Sequence, residues 1–491
     1  MYIKLLSTKI SSLKGGFKLN IIKKIILLTL LLTICLPSYC NPNQIKAETN
    51  NSKFFLILKD SSKTVKVEEF INKNFPTIQT DVVEEIGIIN LILDNPKQLK
   101  SISQTLKDKF PNLIDSFGAS SKISLPKIEK KHQSKKYTFQ TKFASIDAIN
   151  DNSIYTNYTW NLSDVTNNYQ SYKLSKGDST TSIALLDSGI DINHPDLKHS
   201  ISLSKAKSFV EGDPSLEDKM GHGTQVAGII SGNGNIKGIS PKTQIIPYKV
   251  IGEKDGESKW VIQAIVQAAR DGNDIINLSL GTFKSVEKNS DKATIRAYKK
   301  AIEYAESKGC VIVASAGNDS INLDEPIEKN NSDGTKDFQI YLPSSLENVI
   351  TVSSSAKDNT LASYSNYGNI IDFSAPSGDY GPNFKKNFQI DFKDWIITTS
   401  PTNIEGSEID QYLGIPTGYT LSLGTSLASP QVSATAALII SKYQEIHHHK
   451  PTAKQVIQYL KDGAIDLGND GKDSFFGYGK INAYNSLMSI K

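Results

Sequence analysis

The chain has 491 residues, of which 38% are hydrophobic and 22% charged, and this composition excludes a fully disordered, collagen-like or polytopic membrane protein. A formal net charge of +4 is too small over this length to indicate nucleic-acid binding, so we expect no nucleic-acid partner. The charge is unevenly distributed, because residues 1–47 contain seven lysines and no acidic residue, whereas residues 137–491 contain 33 basic and 40 acidic residues. This division predicts a chain built of parts with different roles.

Residues 1–47 are predicted to be a signal peptide. Lysines precede an apolar run of 12 residues at 25–36, which is long enough for the hydrophobic region of a signal and shorter than the roughly 20 residues that span a bilayer. Cleavage after Cys40 and cleavage after Ala47 both fit the sequence, and an uncleaved anchor is the alternative. We therefore expect a secreted, extracellular protein that keeps no stable membrane span after processing.

Residues 48–136 are predicted to be a prosegment and linker. Apolar periodicity predicts a small α+β unit, with strands at 54–58 and 86–93 and helices at 67–75 and 99–110. The lysine-rich run at 127–136 has no apolar period and is typical of an exposed linker. A compact unit between an export signal and an enzyme-sized body suggests a removable prosegment, and a permanent accessory domain is the alternative.

Residues 137–491 are predicted to form one α/β domain. Short apolar runs predict strands at 182–186, 244–250, 274–278, 310–314 and 349–352. Longer runs with helical spacing predict helices at 226–231, 260–271, 294–307, 427–443 and 452–461. Strands that alternate with helices favour a parallel sheet covered by helices on both faces, with reactive groups at the carboxyl ends of the strands.

Three segments of this domain carry candidate catalytic residues. Asp187 directly follows a buried strand, His222 lies between two glycines at the start of a helix, and Ser426 lies at the start of a long apolar helix. The order Asp, His, Ser is one of the known chain orders of a serine-hydrolase triad. A serine is a weak nucleophile without a base, so we expect His222 to take its proton and Asp187 to orient the imidazole.

With these three motifs, residues 160–485 resemble the subtilisin-like serine proteases, or subtilases. The resemblance implies a subtilisin-like parallel sheet sandwiched by helices, and a serine endopeptidase that requires no cofactor for its chemistry. It implies that Asn318, in Ser315-Ala316-Gly317-Asn318, donates to the oxyanion together with the backbone N–H of Ser426. It further implies a substrate-binding role for Ser279, Leu280 and Gly281 on one edge of the cleft and for Gly256 on the other.

Residues 53–126 resemble the prosegments of that family, which implies that this part assists folding and inhibits the enzyme until it is cleaved. Within the family, segments such as Trp160-Asn161-Leu162 and the run Asp187–Leu197 resemble the lantibiotic leader peptidases. That likeness implies a lantibiotic precursor as the peptide substrate. A general secreted subtilase that degrades host or environmental proteins is the alternative. A binding protein on a protease scaffold is disfavoured, because all four catalytic positions are filled.

Acidic residues near the expected cleft suggest a substrate preference. Glu253, Asp255 and Glu257 lie on one edge, and a loop rich in Asp and Glu follows Asn318. We hypothesise a preference for Arg or Lys near the cleaved bond, with a solvated acidic surface as the alternative. No arginine precedes Arg270, so removal of the prosegment would use the lysines at 127–136 or a non-basic site.

A structural calcium ion is a further expectation from the resemblance. Asp196 matches a calcium ligand of the family, and Asn233 and Asn235 could add oxygen ligands. The loop at 231–238 is, however, shorter than the usual calcium loop and contains Lys237. Calcium at this loop is therefore an open question at the level of sequence.

Overall fold

The computed structural model describes residues 52–125, 151–330, 336–387 and 389–491. The predicted signal peptide and the predicted linker lie outside these residues. No helix within the described part of the chain is long and apolar enough to cross a membrane.

Residues 52–125 form a small α+β unit, which we call the N-terminal unit. Its four-stranded antiparallel sheet has the strand order Gln79–Val83, Ile88–Leu93, Ser52–Leu58 and Ile114–Ala119. Helices at Thr64–Asn74 and Gln98–Lys109 pack their apolar side chains against this sheet. The predicted strands and helices are confirmed, and the two outer strands were missed because their residues are largely polar or only half-buried.

The centre of the large domain is a seven-stranded sheet in which all neighbouring strands are parallel. Its strands, in spatial order, are Phe373–Pro376, Ile350–Ser355, Val311–Ser315, Ile275–Leu278, Ser182–Asp187, Gln244–Lys249 and Lys207–Ser208. The five predicted strands form the interior of this sheet, and the two short outer strands were not predicted. The predicted fold class is therefore confirmed.

Helices cover both faces of this central sheet. Alternate residues of one strand show the two faces, because Ile183 and Leu185 belong to one apolar core while Ala184 and Leu186 belong to the other. The first core includes residues of the helices His222–Ser231, Thr425–His447 and Ala453–Gly463. The second includes residues of the helices Ser258–Arg270 and Asn289–Ser307.

Smaller elements surround this framework. Thr282–Ser285, Lys336–Leu342 and Ile327–Asn330 form a three-stranded antiparallel sheet, and Ile396–Thr399 pairs with Tyr419–Ser422. The short helices are Asp151–Tyr158, Trp160–Val165, Ser171–Leu174, Phe384–Asn387, Glu408–Leu413 and Ala483–Met488. One more strand pair, Lys122–Ile123 with Gly256–Glu257, joins the N-terminal unit to the large domain.

Candidate active site

Asp187 and His222 meet at the carboxyl end of the central sheet. Asp187 is the last residue of its strand and is buried, and its Oδ1 lies 2.8 Å from Nδ1 of His222. His222 is the first residue of its helix. A side chain at Gly223 would collide with the carbonyl oxygen of Gly189, so the glycine after His222 lets this helix start lie directly against the end of the Asp187 strand.

The surroundings of His222 favour its protonated form. Burial opposes a charge on the imidazole, but the negative charge of Asp187, its hydrogen bond and the charge of Asp218 outweigh burial and raise the pKa of His222. Among the described residues, Nε2 of His222 has no hydrogen-bond partner. The ring is therefore fixed through Nδ1 and offers Nε2 for proton transfer.

Asp218 organises the start of the His222 helix. Its buried carboxylate accepts backbone N–H groups of Gly221 and Thr224, each at 2.8 Å, and the hydroxyl of Ser188, also at 2.8 Å. Ser188 in turn accepts the N–H of Gly223 at 3.0 Å. A carboxylate at this position satisfies N–H groups that the first turn of a helix leaves unpaired, and it faces the positive end of the helix dipole.

Ser426 is the second residue of the helix Thr425–His447, which packs against the His222 helix. Pro430 lies inside this helix and has no N–H, so it cannot donate to the carbonyl oxygen of Ser426 four residues earlier. The hydroxyl of Ser279 donates to that oxygen instead, at 2.8 Å. The main chain at Ser426 is thus tied to the segment Ser279–Gly281, which was predicted to bind substrate.

Asn318 lies beside Ser426. Its Oδ1 accepts the backbone N–H of Thr425 at 3.0 Å and the Thr425 hydroxyl at 2.7 Å, which fixes the amide so that Nδ2 is on the opposite side. A Cβ atom at Gly424 would lie 3.4 Å from both Nδ2 of Asn318 and Oγ of Ser426. The amide nitrogen and the hydroxyl oxygen are therefore close to the same point, as an oxyanion donor and its nucleophile must be.

The end of the N-terminal unit occupies the cleft that the predicted substrate-binding residues line. Lys122–Ile123 pairs antiparallel with Gly256–Glu257, and Ser124 forms an antiparallel bridge with Gly281, whose N–H donates to the Ser124 carbonyl at 3.4 Å. Ile123 is buried, and its Cγ2 lies 3.0 Å from where a Cβ atom on Gly256 would be. An extended chain thus lies between the two predicted edges.

Ion pairs attach the N-terminal unit to the helices Ser258–Arg270 and Asn289–Ser307 of the large domain. Arg270 pairs with Glu85 at 2.8 Å, and Arg296 pairs with Asp115 at 2.6 Å. These are the chain's two arginines. Both therefore contact the N-terminal unit.

Three of the acidic side chains expected around the cleft are paired with lysines. The pairs are Glu253 with Lys219 at 2.7 Å, Asp255 with Lys122 at 2.5 Å and Asp337 with Lys288 at 2.8 Å. The hydrogen bond from Lys288, with others from Ser285 and Gln339, lowers the pKa of Asp337 to about 2. Of these three carboxylates, Asp255 is the one that contacts the segment in the cleft. Its partner there is Lys122, the residue before Ile123. These three carboxylates therefore do not carry free negative charge beside the cleaved bond, and the preference for a basic residue stays a prediction.

The Subtilase family model matches residues 178–479, which is more than half of the chain. The chain belongs to the subtilase family. It is therefore a serine endopeptidase with a fold and motifs typical of subtilases. The matched region includes Asp187, His222, Asn318 and Ser426.

Two subtilases are similar to this one over most of its length. The epidermin leader peptide-processing serine protease EpiP of Staphylococcus epidermidis is 30% identical over 485 residues, covering 89% of this chain and 99% of that protein. The nisin leader peptide-processing serine protease NisP of Lactococcus lactis subsp. lactis is 33% identical and covers 78% of this chain. This chain spans 62% of the length of NisP.

Solved structures agree with this assignment. The crystal structure of EpiP from Staphylococcus aureus has a TM-score of 0.68 and 26% identity, and covers 89% of this chain and 98% of that one. A crystal structure described as a lanthipeptide protease has a TM-score of 0.62 and 40% identity, and covers 69% of this chain and 96% of that one. The fold of this subtilase is therefore shared with EpiP and with the lanthipeptide protease.

The residues around Asp196 do not fit a calcium ion. The Asp196 carboxylate accepts from the Tyr419 hydroxyl at 3.1 Å and from the Ile236 N–H at 2.9 Å. Asn233, which could have added an oxygen ligand, accepts from the Lys237 ammonium at 2.9 Å. Ca²⁺ requires six to eight oxygen ligands, and no group of three His, Cys, Asp or Glu side chains able to hold a metal ion occurs among the described residues. A lysine charge lies where the family resemblance suggested a cation.

Chelation of divalent ions is expected to leave this subtilase folded and active. Because Lys237 supplies the positive charge at the loop, excess EDTA should change the melting temperature of the purified enzyme by less than about 2 °C. Differential scanning calorimetry with and without EDTA measures this. A fall of more than about 5 °C that added Ca²⁺ reverses would contradict it.

Replacing Asp218 by asparagine is expected to move the acidic limb of the kcat/KM profile to lower pH. As the expected general base, His222 must be neutral for activity, and its raised pKa places that limb above the ordinary value of a histidine. Removing the Asp218 charge lowers this pKa, so the enzyme stays active at a lower pH than wild type. Asp213→Asn on the same loop is the control, because Asp213 pairs with Lys249 instead. An unchanged limb in Asp218→Asn would contradict the assigned role.

Sequence reasoning missed two residues that position this site. Asp218 is one acidic residue in a polar stretch, and its place four residues before His222 was the available signal. Tyr364 was the second, since its hydroxyl accepts the N–H of Gly424 at 2.9 Å and so holds the turn before Ser426. No local pattern identifies Tyr364, because it lies 60 residues from Gly424 along the chain.

Proposed function

We propose that this subtilase is a secreted peptidase that removes the leader peptide from a lantibiotic precursor. The similarity to EpiP supports this, because it extends over 89% of the chain and therefore includes more than the matched subtilase region. The second leader peptidase, NisP, supports the same substrate class. In this proposal residues 1–47 are removed at export, residues 48–136 are a prosegment with its linker, and residues 137–491 are the working enzyme.

In the proposed reaction, Ser426 attacks the carbonyl carbon of the cleaved peptide bond. Nε2 of His222 takes the hydroxyl proton and then delivers it to the leaving amine, which breaks the C–N bond and leaves an acyl-enzyme. Asp187, held at 2.8 Å from Nδ1, keeps the tautomer and stabilises the imidazolium. Water, deprotonated by the same histidine, releases the leader and restores the Ser426 hydroxyl.

The oxyanion formed in each step is assigned to two donors. Nδ2 of Asn318 is one, because the two bonds from Thr425 orient the amide toward the side of Ser426. The backbone N–H of Ser426, near the positive end of its helix, is the other. These groups and the triad suffice for the chemistry without a cofactor.

The N-terminal unit is proposed to inhibit the enzyme until it is removed. The antiparallel pairing of Lys122–Ile123 and of Ser124 uses the edges that a substrate needs, at Gly256 and Gly281. A leader peptide cannot pair with these edges at the same time. The ion pairs of Arg270 and Arg296 hold the unit in place, so its loss should become easier as salt screens them.

Mass mapping of cleavage products tests this function. The processed enzyme is incubated with modified lantibiotic precursors, with Ser426→Ala as the blank and casein as a competing protein. One cut at the junction of leader and core peptide, with casein left largely intact, is the expected result. Comparable cutting of casein and precursor at many sites would instead identify a general protein-degrading subtilase.

A further inference from the structure

The side chain next to the cleaved bond must enter a narrow space in this structure. The strands Ile275–Leu278 and Val311–Ser315 are parallel neighbours, so the segments that follow them, Ser279–Gly281 and Ala316–Asn318, leave the sheet side by side. The chain in the cleft pairs with Gly281 and runs antiparallel to the first segment, toward Ser279 and its contact with Ser426. The residue cleaved by Ser426 therefore directs its side chain between these two segments.

Tyr341 fills that space. A Cβ atom on Gly281 would lie 2.6 Å from Cε1 of Tyr341, and one on Gly317 would lie 2.9 Å from the same atom. The ring thus contacts the backbone of both segments, which have no side chains at these two positions. Tyr341 is 4% exposed, so the ring is buried in this space.

The neighbours of Tyr341 hold the ring in this position. Its strand pairs antiparallel with Thr282–Ser285, which places Phe283 directly opposite it. The two ring centroids are 4.8 Å apart, within the range of favourable aromatic contact. A ring packed in this way behaves as a fixed wall rather than as a movable side chain.

We propose that Tyr341 closes the inner part of the primary specificity pocket, so that this enzyme cleaves after small uncharged residues such as Ala, Gly or Ser. The proposal rests on the function proposed above and specifies its substrate class. It replaces the hypothesis of cleavage after Arg or Lys. A long side chain would have to displace a buried ring.

The charge at Tyr341 agrees with this specificity. Burial, with a further contribution from the charge of Asp319, raises the pKa of the Tyr341 hydroxyl, so it stays neutral at any working pH. A neutral phenol cannot form an ion pair with a guanidinium or an ammonium. Asp319 is the nearby carboxylate, and Asn366 donates to it at 3.3 Å. A substrate arginine could also extend past the ring to Asp319. The peptides would then show a preference for Arg in kcat/KM, and that preference would overturn the proposal.

Peptide kinetics test the proposal. The substrates carry Lys-Ile-Ser-Leu, the residues at 122–125, followed by one variable residue and a fluorogenic amine, so that the segment seen in the cleft fixes the register. We expect kcat/KM for Ala to exceed that for Phe, Leu and Arg by at least about tenfold. Tyr341→Ala should raise the ratio of kcat/KM for Phe or Leu to kcat/KM for Ala by at least about tenfold.

Tyr341→Phe is the matched control, because it keeps the ring and removes the hydroxyl. It should retain the preference for Ala, which separates the volume of the ring from its polarity. If Tyr341→Ala fails to fold, Tyr341→Leu and the wild-type profile give the same test. A wild-type enzyme that prefers Phe, Leu or Arg overturns the proposal. Because these peptides contain no leader, that result is distinguishable from a failure to cleave lantibiotic precursors.

Discussion

Replacing Ser426 by alanine is expected to lower kcat on any cleavable peptide by about 10⁶-fold, the magnitude found when the nucleophile of a subtilisin is removed. In Ser426 the hydroxyl, which is the proposed nucleophile, and the atom that makes the structural contact are different groups. The contact to Ser279 uses the backbone carbonyl oxygen, which alanine keeps. The hydroxyl is the group lost, so we expect the melting temperature to change by less than about 3 °C.

Ser429→Ala is the matched control for this variant. Ser429 lies one turn further along the same helix, is buried, and bonds the Ser279 hydroxyl at 3.0 Å. Losing this hydroxyl should reduce kcat by less than about tenfold, because it contacts no reacting atom. Kinetic assays with a saturating peptide substrate at a known enzyme concentration measure kcat for both variants. Retention of more than about 1% of wild-type kcat by Ser426→Ala would exclude Ser426 as the nucleophile.

The same variant reports on processing of the N-terminal unit. If this subtilase removes the N-terminal unit itself, as proposed, Ser426→Ala should remain as one uncleaved chain, whereas Ser429→Ala should be processed. Intact-mass spectrometry of the two purified proteins distinguishes these outcomes.

The interior of the fold could be predicted because its strands are nearly continuous apolar runs. Strands such as Val311–Ser315 and Ser182–Asp187 are buried on both faces, so their sequences are distinctive. The outer strand Lys207–Ser208 is two residues long and partly exposed, and nothing in its sequence distinguishes it from a loop. Its place is set by pairing with Tyr248 and Lys249, which is a tertiary contact.

The candidate site could be predicted where one short segment carries both a chemical group and its local geometry. His222 between two glycines at a helix start is such a case. The surroundings of the cleft could not be predicted in this way, because they depend on partners distant in sequence. Asp255 pairs with Lys122, 133 residues earlier, so an apparently free carboxylate is in fact paired. The position of the Tyr341 ring is likewise fixed by Phe283 on another strand.

Replacing Asn318 by alanine is expected to lower kcat by about 10²–10³-fold with little change in KM, the range found for the corresponding donor of a subtilisin. An oxyanion exists in the transition state and not in the bound substrate, so the lost N–H affects kcat alone. The alanine variant also leaves Thr425 without its acceptor, which costs about 1–3 kcal/mol of stability.

Asn318→Asp separates the two effects, because a carboxylate still accepts from Thr425 but cannot donate. We expect this variant to melt near the wild-type temperature and to lose at least as much kcat as alanine, since its charge repels the oxyanion. An equal rise in KM, or an Asn318→Asp enzyme with near wild-type kcat, would show that Asn318 acts by holding Thr425 and not by binding the oxyanion.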